Sequence, residues 1–262
     1  MSHRAGRRKP PREPKEHRVS PRTEKKKKKK TPNLAADDWL FVEGVLASHC
    51  AHTIFLWGPP GTGKTFVSCR SGADEREVFV ITLTPETPAA ELRGFWMPKG
   101  DQFVWQDGVF VAAMRKGARV VINEISHASA DVLAILHPVL ESRETARLTL
   151  PNLETVVPAP GFQVVCTDNL PLDQLPEALR DRFKSVMHID RPHPDALCRL
   201  RPDLRAAALR TFDLESDRAV SIRGWLAVQE FEEEFGAEGA FRAVFGRERG
   251  DQIFKATLLG TA

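Results

Sequence analysis

The sequence predicts a three-layer α/β fold: a mostly parallel sheet with helices on both faces, followed by a small all-helical domain. Three observations carry that expectation. Five short β-rich runs, at 53–57, 79–82, 119–122, 161–166 and 186–189, are separated by stretches with helical patterning. Such alternation buries a parallel sheet between layers of helix. A glycine-rich turn, Gly58-Pro59-Pro60-Gly61-Thr62-Gly63-Lys64-Thr65, joins the first run to a helix-like segment, and beyond Pro192 the β-rich runs give way to helical patterns.

The elements follow in chain order. An amphipathic segment at 37–49 precedes the first run, whose apolar residues Thr53-Ile54-Phe55-Leu56-Trp57 read as a buried strand. The turn after it fits the phosphate-binding template G-x-x-x-x-G-K-[ST] at every fixed position. Its glycines let successive backbone N–H groups turn inward, where a Cβ would collide with a ligand. Lys64 is then long enough to reach the β- and γ-phosphates, and the Thr65 hydroxyl suits Mg²⁺. Phe66-Val67-Ser68-Cys69 begins a helix whose positive end faces the phosphates. The chain is expected to bind a nucleoside triphosphate.

The third run is followed by Asn123-Glu124. Glu124 is suited to polarise an attacking water. Asn123 stands where a carboxylate would serve the metal; its amide oxygen can accept from a metal-bound water but brings no charge against Mg²⁺. The fourth run ends in Thr167-Asp168-Asn169, and Asn169 is the candidate to orient the water, because an amide both donates and accepts. Next comes Leu175-Pro176-Glu177-Ala178-Leu179-Arg180-Asp181-Arg182-Phe183. Its two arginines serve either as surface charge or as a cation projected into a neighbouring subunit's nucleotide. Arg223, within Ser221-Ile222-Arg223-Gly224-Trp225, opens a helix of the C-terminal region and could touch the phosphates when that region closes over the site.

Composition bounds the alternatives. A chain of 262 residues with 42% apolar content can bury one core and a small satellite. No apolar run is long enough to span a membrane, and the N-terminus lacks the apolar stretch of a secretory signal. Cys50, Cys69, Cys166 and Cys198 show no C-x-x-C spacing, which suggests neither a zinc site nor a disulfide framework and suits a reducing cytoplasm. His127 and His137, ten apart on a helical stretch, read as surface or packing residues rather than metal ligands.

The charge is uneven. Residues 1–32 hold 14 Lys and Arg against Glu13, Glu16 and Glu24, a net of +11, whereas 33–262 carry a net of −8. The tail is too polar to repay the entropy of folding and is expected to be a disordered arm. It serves as a solvated extension without a partner, as an attractor of nucleic acid or another polyanion, or, through 25–30, as a nuclear address in a eukaryotic host. The acidic remainder argues against a nucleic-acid channel in the folded part.

Taken in order, the phosphate loop, N-E, T-D-N, A-L-R-D-R-F and S-I-R-G-W resemble the AAA+ ATPases, specifically the MoxR-like, dynein-related subfamily. Glu91-Leu92-Arg93-Gly94, Gln106-Asp107-Gly108-Val109-Phe110, Ile125-Ser126-His127-Ala128 and Leu140-Glu141-Ser142-Arg143 agree with that resemblance, which covers about 36 to 246. It implies a P-loop NTPase core over 33–191 and a helical lid over 192–262. By position it makes Gly58, Pro59, Pro60, Gly61, Thr62, Gly63, Lys64 and Thr65 the Walker A loop and Glu124 the Walker B glutamate. Asn169 becomes sensor 1, Arg182 (or Arg180) the arginine finger, and Arg223 sensor 2. Asn123 replaces the family aspartate, a departure that bears on hydrolysis rate rather than on nucleotide binding.

The resemblance further implies ATP and Mg²⁺ as cofactors and a closed homo-oligomeric ring, usually a hexamer. It places a helix-2 insert around Trp96 to Trp105 and a pre-sensor hairpin at 146–157. Trp96, Met97, Phe103 and Trp105 are then client contacts or buried packing. Three functions stay open: a motor that remodels a partner protein, with von Willebrand A domain proteins as frequent partners of relatives; a nucleic-acid-associated ATPase using residues 1–32; and a slow or non-hydrolysing nucleotide switch.

Overall fold

The computed structural model describes Met1 and residues 39–73, 76–212 and 220–259. Apart from Met1, the expected arm at 1–32 lies outside the described residues. The elements run α1 (Trp39–Leu46), β1 (Thr53–Trp57), α2 (Lys64–Arg70), β2 (Val78–Thr82), α3 (Ala89–Arg93), β3 (Gly94–Lys99), β4 (Gln102–Asp107) and α4 (Val109–Lys116). They continue with β5 (Arg119–Asn123), α5 (Ala130–Val139), β6 (Leu148–Thr149), β7 (Thr155–Val156), β8 (Gln163–Asp168), α6 (Glu177–Arg180) and β9 (Ser185–His188). Four helices close the chain: α7 (Pro194–Cys198), α8 (Pro202–Phe212), α9 (Ile222–Phe245) and α10 (Arg247–Leu258).

The five expected strands form one sheet in the order β2-β5-β8-β1-β9, and every neighbouring pair is parallel. Strand alternation sorts the side chains onto two faces. Phe55, Val120, Ile122, Val164 and Cys166 enter one core with Phe110 and Met114 of α4 and Leu136 of α5. Their sequence neighbours Ile54, Leu56, Val121 and Val165 enter the other, with Trp39, Val42 and Leu46 of α1 and Val67 of α2. Both faces of the central strands are thereby covered, the reason those strands read as continuous apolar runs. A separate cluster, built on Leu200, Leu204, Ala207, Trp225, Val228 and Phe241, holds the C-terminal helices together. Among the described residues, no helix is long and apolar enough to cross a membrane.

One buried cation was not foreseen. Arg119, the first residue of β5, is fully buried and has no carboxylate partner among the described residues. Its guanidinium donates to Gln163 Oε1 and to the carbonyls of Leu46, Ser68 and Ser71 at 2.7–2.8 Å. Those carbonyls belong to the ends of α1 and α2, where the helix leaves acceptors unpaired and partial negative charge accumulates. Arg119 thus ties the helix behind the phosphate loop to the sheet. Burial lowers its pKa to about 10.

Two hairpins stand apart from the sheet. β3 and β4 pair antiparallel with Trp96 opposite Trp105, and β6 pairs with β7. Trp96, Met97 and Phe103 are exposed, so packing inside a core accounts only for Trp105, which is half-buried and donates from Nε1 to Asp107. His127 and His137 fall on different elements: a single 3₁₀ turn at Ile125–His127 and helix α5.

Candidate functional site

Parallel pairing brings the C-terminal ends of three strands to one edge, where ligands of open α/β sheets bind. Trp57 lies opposite Asp168, and Asn123 opposite Thr167. The loop at 58–65, the Asn123-Glu124 corner and the Thr167-Asp168-Asn169 strand end are therefore neighbours. Gly58 takes φ 142°, Gly61 77° and Gly63 105°, conformations that favour glycine. The chain itself also crowds these residues. A Cβ on Gly58 would stand 2.0 Å from the Ile189 carbonyl oxygen, and Cβ atoms on Gly61 and Gly63 would meet Ser221 and His193 at 2.8 and 3.0 Å.

Lys64 is buried, and its ammonium donates to the carbonyls of Gly58 (2.7 Å) and Pro59 (2.8 Å) and to Asn169 Oδ1 (3.1 Å). The amide of Asn169 then donates from Nδ2 to the Glu124 carboxylate at 3.0 Å. The result is a chain of contacts from cation through amide to carboxylate, with the amide in the one orientation that satisfies both ends. Burial pushes the Lys64 pKa down to about 8; Glu124 and Asp168 oppose that shift, and Arg223 adds to it. A second chain runs beside the first. The hydroxyls of Thr65 and Thr167 both donate to Asn123 Oδ1 at 2.8 Å, while Asn123 Nδ2 reaches Thr82 Oγ1 at 3.3 Å. Glu124 itself has φ 56° and ψ 48°, a left-handed backbone that costs a non-glycine residue about 1 kcal/mol. Its N–H continues the ladder to Thr167 O at 2.8 Å, which holds the carboxylate turned toward Asn169.

Two residues that organise this edge escaped sequence reasoning. Asp168 is buried and accepts from the Ser126 backbone N–H (2.7 Å), the Ser126 hydroxyl (3.1 Å) and the Leu170 N–H (2.9 Å). It pins the turn after Glu124 to the end of β8. The available signal was a carboxylate inside an otherwise apolar strand run, which needs donors wherever it is buried. His193 is buried against Gly63, caps α7 by accepting from the Asp195 N–H, and pairs with Glu43 at 3.1 Å. Its position before Pro194 was the legible sign, since proline favours the first helical turn and the preceding residue is then a cap.

The arginines divide. Arg223 lines the same cleft as Lys64, Thr65, Glu124 and Asn169, an enclosure of about 660 Å³. That is ample for a nucleotide-sized ligand. Neither Arg180 nor Arg182 lines it. Arg182 is bound to Glu141 Oε1 at 2.7 Å and to the Ala178 carbonyl, and Arg180 donates to the carbonyls of Leu175 and Asp173.

Comparison with known proteins agrees with this arrangement. The family model described as AAA domain (dynein-related subfamily) matches residues 53–183. The chain belongs to that family. Protein NorQ of Paracoccus denitrificans is 33% identical over 146 residues, which cover 54% of this chain and 53% of NorQ. The denitrification regulatory protein NirQ of Pseudomonas aeruginosa is 29% identical over 138 residues, 51% of this chain and 53% of NirQ. Midasin of Dictyostelium discoideum is 34% identical over 145 residues, 51% of this chain but 2% of midasin. The likeness to NorQ and NirQ places the chain among the MoxR-like AAA+ ATPases, although it spans only about half the length of each. The family match takes in Lys64, Thr65, Glu124, Asn169 and Arg182 and stops short of Arg223.

Proposed function

We propose that this chain binds ATP with Mg²⁺ and hydrolyses its β–γ phosphoanhydride bond as a subunit of a homo-oligomeric ring that remodels a partner protein. The observation that carries the proposal is the Lys64–Asn169–Glu124 chain lying beside the Thr65–Asn123 pair in one cleft that Arg223 also lines. The donor set fits the ligand. Lys64 and Arg223 supply positive charge for phosphate oxygens. Mg²⁺, when bound, offsets phosphate charge, and the Thr65 hydroxyl and Asn123 amide oxygen are the hard donors available to hold it.

Lys64 exchanges the Gly58 and Pro59 carbonyls for phosphate. Glu124 accepts a proton from the attacking water at its carboxylate, and Asn169 holds that carboxylate in place. Arg182 exchanges Glu141 for the nucleotide of a neighbouring subunit. In this reading 33–191 is the ATPase core and 192–262 the lid, and a von Willebrand A domain protein is the first client to test.

The test is ATP turnover against protein concentration, with nucleotide binding followed in parallel. Glu124→Gln should retain binding and lose about 100-fold or more in turnover, and Arg182→Ala should abolish a cooperative rise with concentration. Equal turnover in Glu124→Gln and the parent chain refutes hydrolysis at this site. Turnover strictly proportional to concentration, in a protein shown to be monomeric, refutes the ring. A second reading, a slow nucleotide switch, is favoured by Asn123, whose neutral oxygen already accepts from two hydroxyls.

A further inference from the structure

The opposite edge of the sheet carries a row of cations. Arg76 precedes β2, Arg119 begins β5, His52 precedes β1 and Lys184 precedes β9, with Gln163 at the head of β8 between them. Arg76 and Arg119 share Gln163 Oε1, at 2.9 and 2.7 Å. Among the described residues, no carboxylate pairs with Arg76, Arg119, Arg143 or Lys184, and the one acid in the row, Glu77, is taken by Lys116 at 2.9 Å. Arg76 and Arg119 are satisfied by Gln163 and backbone carbonyls, and Arg143 donates to the His49 carbonyl at 2.5 Å.

A cavity of about 300 Å³ opens at this edge, lined by His52, Arg143, Val139, Ala146, Pro160 and Phe162 among others. His52 is 6% exposed. Its Nε2 lies 3.3 Å from the Glu141 carbonyl oxygen, so the neutral ring carries its proton there. Nδ1 is then a buried acceptor without a hydrogen-bond partner of good geometry. Such a group costs stability unless something supplies the missing bond. Burial and the nearby Lys184 and Arg143 hold His52 below its usual pKa, while the carbonyls of Glu141 and Cys50 pull the other way; the Glu141 carboxylate is occupied by Arg182.

The geometry points to a binding site for a small organic acid, with its carboxylate between His52 and Arg143 and its apolar body against Phe162 and Val139. The apolar walls match the body, and His52 with Arg143, the two basic groups of the lining, matches the head. On binding, His52 takes up one proton from solvent at Nδ1 and keeps it as an imidazolium that donates a hydrogen bond to the carboxylate, which gives Nδ1 its missing partner. The site is distinct from the phosphate cleft, and its test needs no nucleotide.

Benzoate is the probe, followed by the imidazole resonances of His52 and by calorimetry on the full chain. Binding is expected in roughly the millimolar range, with the His52 signal moving toward the imidazolium position. Affinity should weaken as pH rises, by up to about tenfold per unit where the free imidazole is neutral. Arg143 is an exposed residue, and Arg143→Ala should weaken binding about tenfold without unfolding the chain; benzamide, which lacks the charge, should not bind. An unmoved His52 resonance at about 20 mM benzoate, or unchanged affinity in Arg143→Ala, overturns the assignment.

Discussion

Lys64 is held at a cost that can be measured without any ligand. Its ammonium is buried beside Arg223, and burial is the larger reason its pKa falls from 10.5 to about 8. Between those values the unfolded chain keeps the proton and the native chain releases it, so stability rises with pH across the window. At about 1.4 kcal/mol per unit, the gain attributable to Lys64 is about 3 kcal/mol. Lys64→Met keeps the length of the side chain and removes the titration. Two thiols, the buried Cys166 and the half-buried Cys69, act in the reverse sense. Burial raises the pKa of Cys69 and of Cys166, so the native chain holds those protons after the unfolded chain has lost them, and stability falls as pH rises past about 9. Both proteins share that contribution, and it cancels in the difference between them. Urea unfolding from about pH 7 to 10.5 should therefore show the parent gaining on Lys64→Met by about 3 kcal/mol, nearly all of it above pH 8. Parallel curves would refute the account of a desolvated lysine.

Three further outcomes follow from contacts described above. Gly58→Ala places a Cβ 2.0 Å from the Ile189 carbonyl at φ 142°, and chemical denaturation should show a loss of about 3 kcal/mol or more. Arg119→Met removes the donor to the Ser68 and Ser71 carbonyls and leaves the Leu46 carbonyl with Gln163 Nε2, and the loss should reach about 3–5 kcal/mol by the same measurement. Asn123→Asp keeps an oxygen for the Thr65 and Thr167 hydroxyls and adds charge where Mg²⁺ is proposed to sit; steady-state ATP turnover should rise by about tenfold, and an unchanged rate would show that the missing charge does not limit it.

The sheet was legible because its physics is local. Thr53 to Trp57 and the run at 161–166 are too apolar and too short to lie anywhere but in the middle of a covered parallel sheet, although β8 begins and ends two residues later than that run. Lys64, Thr65, Glu124 and Asn169 were legible for another reason: each stands at the end of such a strand, and parallel order alone makes them neighbours. Asp168 and His193 were missed because their importance depends on long-range partners, Ser126 as donor in the one case and Glu43 as acceptor in the other, that no spacing rule brings together. Arg119 was placed correctly at the head of a strand and only its burial went unread, since a guanidinium satisfied by carbonyls leaves no acidic partner to look for. The glycines were expected on correct positions for an incomplete reason. A ligand was to exclude their Cβ atoms, whereas Ile189, Ser221 and His193 already do.

That crowding has a practical consequence for anyone who wishes to silence the chain. A glycine replaced in the loop at 58–65 disturbs the proposed nucleotide contact and the native packing in one stroke, so a dead mutant of that kind cannot be distinguished from a misfolded one. Thr65 carries less of that ambiguity, because its hydroxyl meets a side chain, Asn123 Oδ1, whereas the Lys64 ammonium holds the Gly58 and Pro59 carbonyls of the loop itself. Loss of function should be engineered at the threonine, and the glycines kept as gauges of whether the loop is seated on Ser221 and His193 at all.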